Sequence, residues 1–226
     1  MVKIYCINLE RAKDRRAQME SQIKDQNLKI EFIDAFDSGK EGVTRDHVRP
    51  EIHPGDFGCL MSSYRVWQDI VDKGHQQALI LEDDVILVPN FISKLESLEL
   101  PEKWDVVYLE YISPIYEGKA TKDVNEGRCL GTMTYLISLK GAKKLLAFDP
   151  IDWRGADKQL AQLPIKSFYT KERLADHDLL NSGIGLDLTR IPKVHNGIYF
   201  EREYGGIVAF VIIVCLLFYL KARLSR

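Results

Sequence analysis

Apolar runs recur along the chain and alternate with charged stretches of helical pattern. Residues 2–8, VKIYCIN, are mostly apolar and predict a first strand ending at Asn8. Residues 10–26 follow as a polar helix rich in Arg, Lys, Glu and Gln. LKIEFIDAF reads as a second strand, and DSGKEGVTRDHVRPEIHPGD, with its Gly, Pro and many charges, as a long surface loop. FGCLMSSYRVWQDIVDKG places Leu60, Tyr64, Trp67 and Val71 at helical spacing, with Gly74 as the stop. Ala78–Leu81 is a short continuous apolar run, as expected of a strand buried on both faces. PNFISKLESLEL predicts a short helix from Pro89, WDVVYLEY a further strand, and GTMTYLISLKGAKKLLAF a strand and then a helix. Strands alternating with helices predict an α/β fold with a mostly parallel central sheet.

Composition narrows the function classes. A chain of 226 residues with 46% hydrophobic residues can bury a core without disulfides. A net charge of −2, with Lys and Arg spread along the chain, points to no nucleic-acid partner. Cys6, Cys59, Cys129 and Cys215 form no CxxC pair, which argues against a zinc site, and their apolar neighbours favour a reducing compartment. No GxGxxG follows the first strand, which argues against a dinucleotide oxidoreductase.

Two features stand outside this pattern. The first is Glu82-Asp83-Asp84, three acids directly after a buried strand. In an open α/β sheet ligands sit at the carboxyl ends of strands, so these charges meet a crevice. Extended-chain alternation puts Glu82 and Asp84 on one face and turns Asp83 away. Clustered carboxylates suit a hard divalent cation, Mg²⁺ or Mn²⁺, with open positions for phosphate oxygens; the alternative is a solvated acidic turn.

The second is the C-terminal GGIVAFVIIVCLLFYLKARLSR, uncharged from Gly205 to Leu220. As a helix those residues span roughly 24 Å against a hydrocarbon core of about 30 Å. They predict a C-terminal membrane helix or anchoring segment over 204–226, behind a domain over 1–203, with Tyr204 and Tyr219 at the interfaces and Lys221, Arg223 and Arg226 beyond. The N-terminal apolar stretch, Ile4–Ile7, is too short for a signal peptide, so the expectation is a membrane-associated protein with its catalytic domain on the cytosolic side.

Five segments in order carry a resemblance to a family: INLERAKDRR, FIDAFDSG, GDFGCLMSSYRVW, ALILEDDV, and WDVVYL followed by GTMTYLISLKGAKKLL. Together they resemble glycosyltransferase family 25, the lipooligosaccharide and collagen galactosyltransferase-like proteins, over roughly residues 2–157. The resemblance implies a GT-A-like domain and transfer of a sugar, often galactose, from a nucleotide diphosphate donor such as UDP-galactose to a glycan, glycolipid or protein acceptor. It also implies that Glu82-Asp83-Asp84 serves as the family's Asp-x-Asp-like site, with Glu82 and Asp84 on a Mn²⁺ or Mg²⁺ ion and Asp83 beside the donor. The family's Ser-His reads Ser62-Ser63 here, so no histidine role passes to residue 63.

Single residues remain open between a functional and a structural role. Asn8, Arg11 and Arg15 follow the first strand, where a nucleotide would lie; the arginines either fork onto phosphate oxygens or decorate an exposed helix. Asp34 either bonds a ribose or base or forms a turn. Ser62 either contacts the donor or is a buried helix serine. Inversion at the anomeric carbon requires a general base; Asp152, beside Trp153, is the first candidate and Asp157 the second, with helix N-capping the alternative for Asp152. His177 and His195 are each either a late metal or phosphate contact or structural. An inactive sugar- or protein-binding relative on a membrane is the competing function.

Overall fold

A computed structural model describes residues 2–43, 54–148, 160 and 163–177. These fall within a compact unit spanning Met1–Leu186. Its elements run in order β1 (Lys3–Asn8), α1 (Lys13–Asp25), β2 (Ile30–Asp34), α2 (Pro54–Lys73), β3 (Gln77–Glu82), β4 (Val85–Leu87), α3 (Phe91–Glu96), β5 (Val106–Lys119), β6 (Val124–Ser138), α4 (Leu139–Leu146), β7 (Ser167–Thr170) and β8 (Ala175–His177). Six strands form one sheet in the order β2-β1-β3-β6-β5-β7, and β4 and β8 form a small second sheet.

The sheet is mixed, which corrects the expectation of a mostly parallel one. The strands β2, β1 and β3 are parallel, with Asn8 opposite Asp34 and Cys6 opposite Leu81. Beyond β3 the pairing reverses: β6 is antiparallel to both β3 and β5. The cause is covalent. Only residues 120–123 separate β5 from β6, and a link that short can close only an antiparallel hairpin. Thr121 shapes the turn, its hydroxyl accepting from the amides of Asp123 and Val124, both at 3.2 Å. The outer hairpin, residues 112–128, carries no clean alternation and is interrupted by register shifts, so periodicity alone does not reveal it.

Alternation does explain the two cores. Tyr5, Ala78, Ile80, Val106, Tyr108, Tyr135 and Ile137 point to one face, under Leu60, Val66, Trp67 and Ile70 of α2 and Ala142 and Leu145 of α4. Ile4, Cys6, Leu79, Leu81, Val107, Leu109 and Leu136 point to the other, against Met19 of α1 and Phe91 and Leu95 of α3. The Ala78–Leu81 run is therefore buried on both sides, as its sequence predicts. Burial of each such side chain is worth roughly 1.5–3 kcal/mol. Trp67 sits at the centre and donates from Nε1 to the Tyr135 hydroxyl at 3.0 Å.

The ends of α2 follow local rules. Gly74 adopts φ +68°, with its amide on the Val71 carbonyl and the His75 amide on Ile70, a left-handed helix stop that favours glycine. Near the other end, a Cβ on Gly58 would lie 2.6 Å from the Ser38 hydroxyl and 2.9 Å from the Phe36 carbonyl. Glycine there lets the loop after β2 lie directly on the helix.

Among the described residues no helix is long and apolar enough to cross a membrane. The segment 204–226, His195, Asp152 and Asp157 lie outside the described residues. Cys6, Cys59 and Cys129 are free thiols, Cys6 and Cys129 buried.

Candidate active site

The parallel strands β1 and β3 both end on one cleft. Its volume is about 550 Å³, and its walls come from the residues after β1, the loop after β2, the first turns of α2 and the end of β3. Arg11, Arg15, Asp37, Lys40, Cys59, Glu82, Asp83 and Asp84 line it.

The three acids have different surroundings. Strand β3 stops at Glu82, and Asp83 and Asp84 lie in the turn to β4. Extended-chain alternation therefore does not run through them, which corrects the expected opposition of Asp83 and Asp84. Both reach one guanidinium: Arg15 Nη1 lies 3.1 Å from Asp83 Oδ1 and 3.6 Å from Asp84 Oδ2. The other Asp83 oxygen accepts from Asn8 Nδ2 at 2.6 Å. Asp83 thus spends both oxygens on the chain itself and serves as the post that holds Asn8 and Arg15.

Asp84 differs. Only 8% of it is exposed, and its Oδ1 has no hydrogen-bond partner among the described residues. Glu82, partly buried, accepts a long 3.4 Å bond from the Thr132 hydroxyl. Burial first, and then the charges of Asp84, Asp83 and Glu110, hold the Glu82 carboxyl well above the usual carboxylate range. Burial also raises Asp83 and Asp84, with Arg15 pulling both back. An apolar setting that crowds carboxylates and leaves one buried oxygen unmet suits a hard cation. Glu82 and Asp84 are candidate ligands for one.

One acid of this neighbourhood is missing from the sequence-based candidates. Glu110 of β5 is wholly buried; its Oε1 lies 2.9 Å from His177 Nδ1, and its Oε2 has no partner among the described residues. The strand β8 brings His177 opposite Val85, one residue past Asp84. Glu110, Asp176 and His177 offer ligand atoms within 4.8 Å of one another, although Asp176 is largely exposed. The bond to Glu110 raises the His177 pKa above its ordinary value, outweighing burial, which lowers it. The one available signal was a lone glutamate inside the apolar strand VVYLEY.

The remaining candidates divide. Arg11 lines the cleft, exposed and paired with Asp37. Asp34, though opposite Asn8 in register, is exposed and absent from the cleft wall; Asp37, three residues on, takes that place. Ser62 is buried and its hydroxyl is spent, accepting from the Phe36 amide at 2.8 Å and donating to the Gly58 carbonyl at 2.7 Å. It fastens the loop after β2 to α2 and also lines the cleft.

The class is thus an α/β domain with a cleft at the ends of parallel strands, lined by Arg11, Arg15 and Lys40 and by Glu82, Asp83 and Asp84. The model of Glycosyltransferase family 25 (LPS biosynthesis protein) matches residues 1–149, and the chain belongs to this family. A probable inactive glycosyltransferase 25 family member 3 of Bos taurus is 29% identical over 176 residues, covering 66% of this chain and 29% of that protein. A glycosyltransferase 25 family member of Aedes aegypti is 32% identical over 174 residues, covering 66% and 28%. Procollagen galactosyltransferase 2 of Homo sapiens is 27% identical over 208 residues, covering 77% and 31%. The chain thus spans about three-tenths of the length of these relatives.

Proposed function

We propose that this chain is a GT-A-like glycosyltransferase domain that transfers a sugar, galactose in first place, from a nucleotide diphosphate sugar to a glycan, glycolipid or protein acceptor. The observation that carries the reading is the cleft itself: Asn8, Arg11 and Arg15 meet Glu82, Asp83 and Asp84 at the ends of β1 and β3. Galactose is supported by the similarity to the human procollagen galactosyltransferase 2, and UDP by the family resemblance of the sequence.

In this reading the diphosphate lies across the cleft mouth with Arg11, Arg15 and Lys40 in reach of its oxygens. Glu82 and Asp84 would hold Mn²⁺ or Mg²⁺, which would supply positive charge beside a diphosphate leaving group. Asp83 keeps Asn8 in place. The acceptor hydroxyl displaces the diphosphate with inversion, and Asp152, or failing it Asp157, takes the proton from the side opposite the leaving group. Gly205–Leu220, sixteen residues without a charge, attaches the protein to a membrane with residues 1–203 on the cytosolic side.

The test is calorimetry of the full chain with UDP, with and without MnCl₂, followed by hydrolysis of UDP-galactose. UDP binding that depends on Mn²⁺ and is lost in Asp84→Asn supports the reading. Equal metal dependence in Asp84→Asn removes the metal site from it.

A second reading, a binding relative without turnover, is favoured by one observation: Asp83 is fully engaged by Asn8 and Arg15, as in a closed structural network. Metal-dependent UDP binding without hydrolysis or transfer would select it.

A further inference from the structure

The Asp83–Asp84 turn already holds a cation, and that cation belongs to the protein. Arg15 emerges from the first turn of α1 with 16% of its side chain exposed, and its guanidinium nitrogen contacts Asp83 Oδ1 at 3.1 Å and Asp84 Oδ2 at 3.6 Å. Asp83 is locked from its other side by Asn8, so this arrangement is anchored rather than a loose surface pair. Asp84 is more than nine-tenths buried and keeps Oδ1 unmet among the described residues. One carboxylate therefore faces a resident guanidinium with one oxygen and keeps the other buried without a hydrogen-bond partner among the described residues.

A divalent ion on Asp84 Oδ1 would sit on the same carboxyl group as Arg15. Two cations beside one carboxylate repel each other strongly where water is largely excluded. The conflict ends if a third partner takes the guanidinium. Arg15 lines the same cleft as Arg11 and Lys40, and its planar fork suits phosphate oxygens better than a single carboxylate oxygen at 3.6 Å.

We propose that Arg15 is the built-in counter-ion of this site: it offsets part of the charge of Asp83 and Asp84 while no donor is present, restrains divalent-metal binding, and releases that restraint when a diphosphate draws its guanidinium away. The inference rests on the donor reading above. It predicts that metal and diphosphate bind cooperatively, each tightening the other by the same factor, as linkage requires.

The experiment measures Mn²⁺ binding to the full chain by the loss of its free-ion electron paramagnetic resonance signal, with MnCl₂ alone and with MnCl₂ plus UDP. In the unaltered chain Mn²⁺ alone should bind weakly, and UDP should tighten it about 10-fold or more. Arg15→Gln should bind Mn²⁺ alone about 10-fold more tightly and lose most of the UDP enhancement. Arg15→Lys, which keeps the charge and is the safeguard should the glutamine variant fail to fold, should stay weak for Mn²⁺ alone. Asp84→Asn in the Arg15→Gln background should abolish the gain, assigning it to this turn. If Mn²⁺ alone binds Arg15→Gln no more tightly than the unaltered chain, or more weakly, the counter-ion role is overturned. The donor reading then survives only if UDP still enhances Mn²⁺ binding. If UDP and Mn²⁺ ignore each other in every form, both readings fall.

Discussion

The two halves of the sheet treat polar side chains in opposite ways. In the parallel half, β2-β1-β3, the polar residues nearest the cleft stand at strand ends: Glu82 lines it, and Asn8 bonds Asp83 of its wall. In the antiparallel half, polar groups lie within the strands: Glu110 stands opposite Thr134, and both are wholly buried. The parallel half delivers charge to solvent and ligand. The antiparallel half keeps a carboxylate inside and gives it His177 as partner. Parallel strands joined by crossovers begin and end together, so their ends build a common rim; hairpin strands run past one another and leave side chains behind the rim. The lesson is that a site at the seam draws its first contacts from one half and its support from the other.

Joining the halves is the strongest dependence. Trp67 packs across the centre of the sheet and bonds Tyr135, so Trp67→Ala should destabilise the domain by about 3–5 kcal/mol, read from urea unfolding. A loss below about 1 kcal/mol would mean the halves do not share that core.

The cleft is the next point of attack. Asp84→Asn keeps the shape and removes a charge, and should lower sugar-transfer turnover roughly 10²–10³-fold, the scale for losing one preorganised electrostatic group. Circular dichroism melts of the same variant should move little. A large fall in melting temperature would make Asp84 a structural acid of the seam.

A smaller effect is expected from the loop that closes the parallel half. Gly58→Ala sets a methyl against the Phe36 carbonyl and the Ser38 hydroxyl, and should cost about 1–3 kcal/mol, the scale for overpacking, with weakened UDP binding. Unchanged UDP affinity would show that this loop is not part of the donor site.

The smallest concerns the pair in the antiparallel half. Glu110 raises the His177 pKa, so the folded form binds the proton more tightly than the unfolded chain. The resulting stability is fully present below the unfolded value of about 6.5 and is lost as pH rises through the raised folded value. In metal-free buffer, the melting temperatures of the unaltered chain and His177→Gln should differ most below about pH 6.5 and converge at higher pH. A gap that widens with pH would overturn the assignment.

Much of this was written in local sequence. The Ala78–Leu81 strand, the Leu60–Trp67 helix face and the stop at Gly74 follow from periodicity and turn chemistry, which act within a few residues. The position of the acids at a strand end was legible for the same reason. Which oxygen of which acid is free was not, because that depends on Asn8 and Arg15, some seventy residues earlier in the chain. Packing rather than local pattern also placed Ser62 and Asp34: Ser62 bonds the Phe36 amide 26 residues earlier in the chain, and Asp34 stands outside a cleft wall that Asp37 joins instead. The reversal of the sheet at β6 was hidden by the irregular outer hairpin. The pairing of Glu110 with His177 arose only when β8 docked beside β4, across 67 residues of chain. Sequence determined the elements, since backbone preference and burial pattern are local. Tertiary structure decided the partners, since charge and hydrogen bonding are settled by whatever packing brings within about 3 Å.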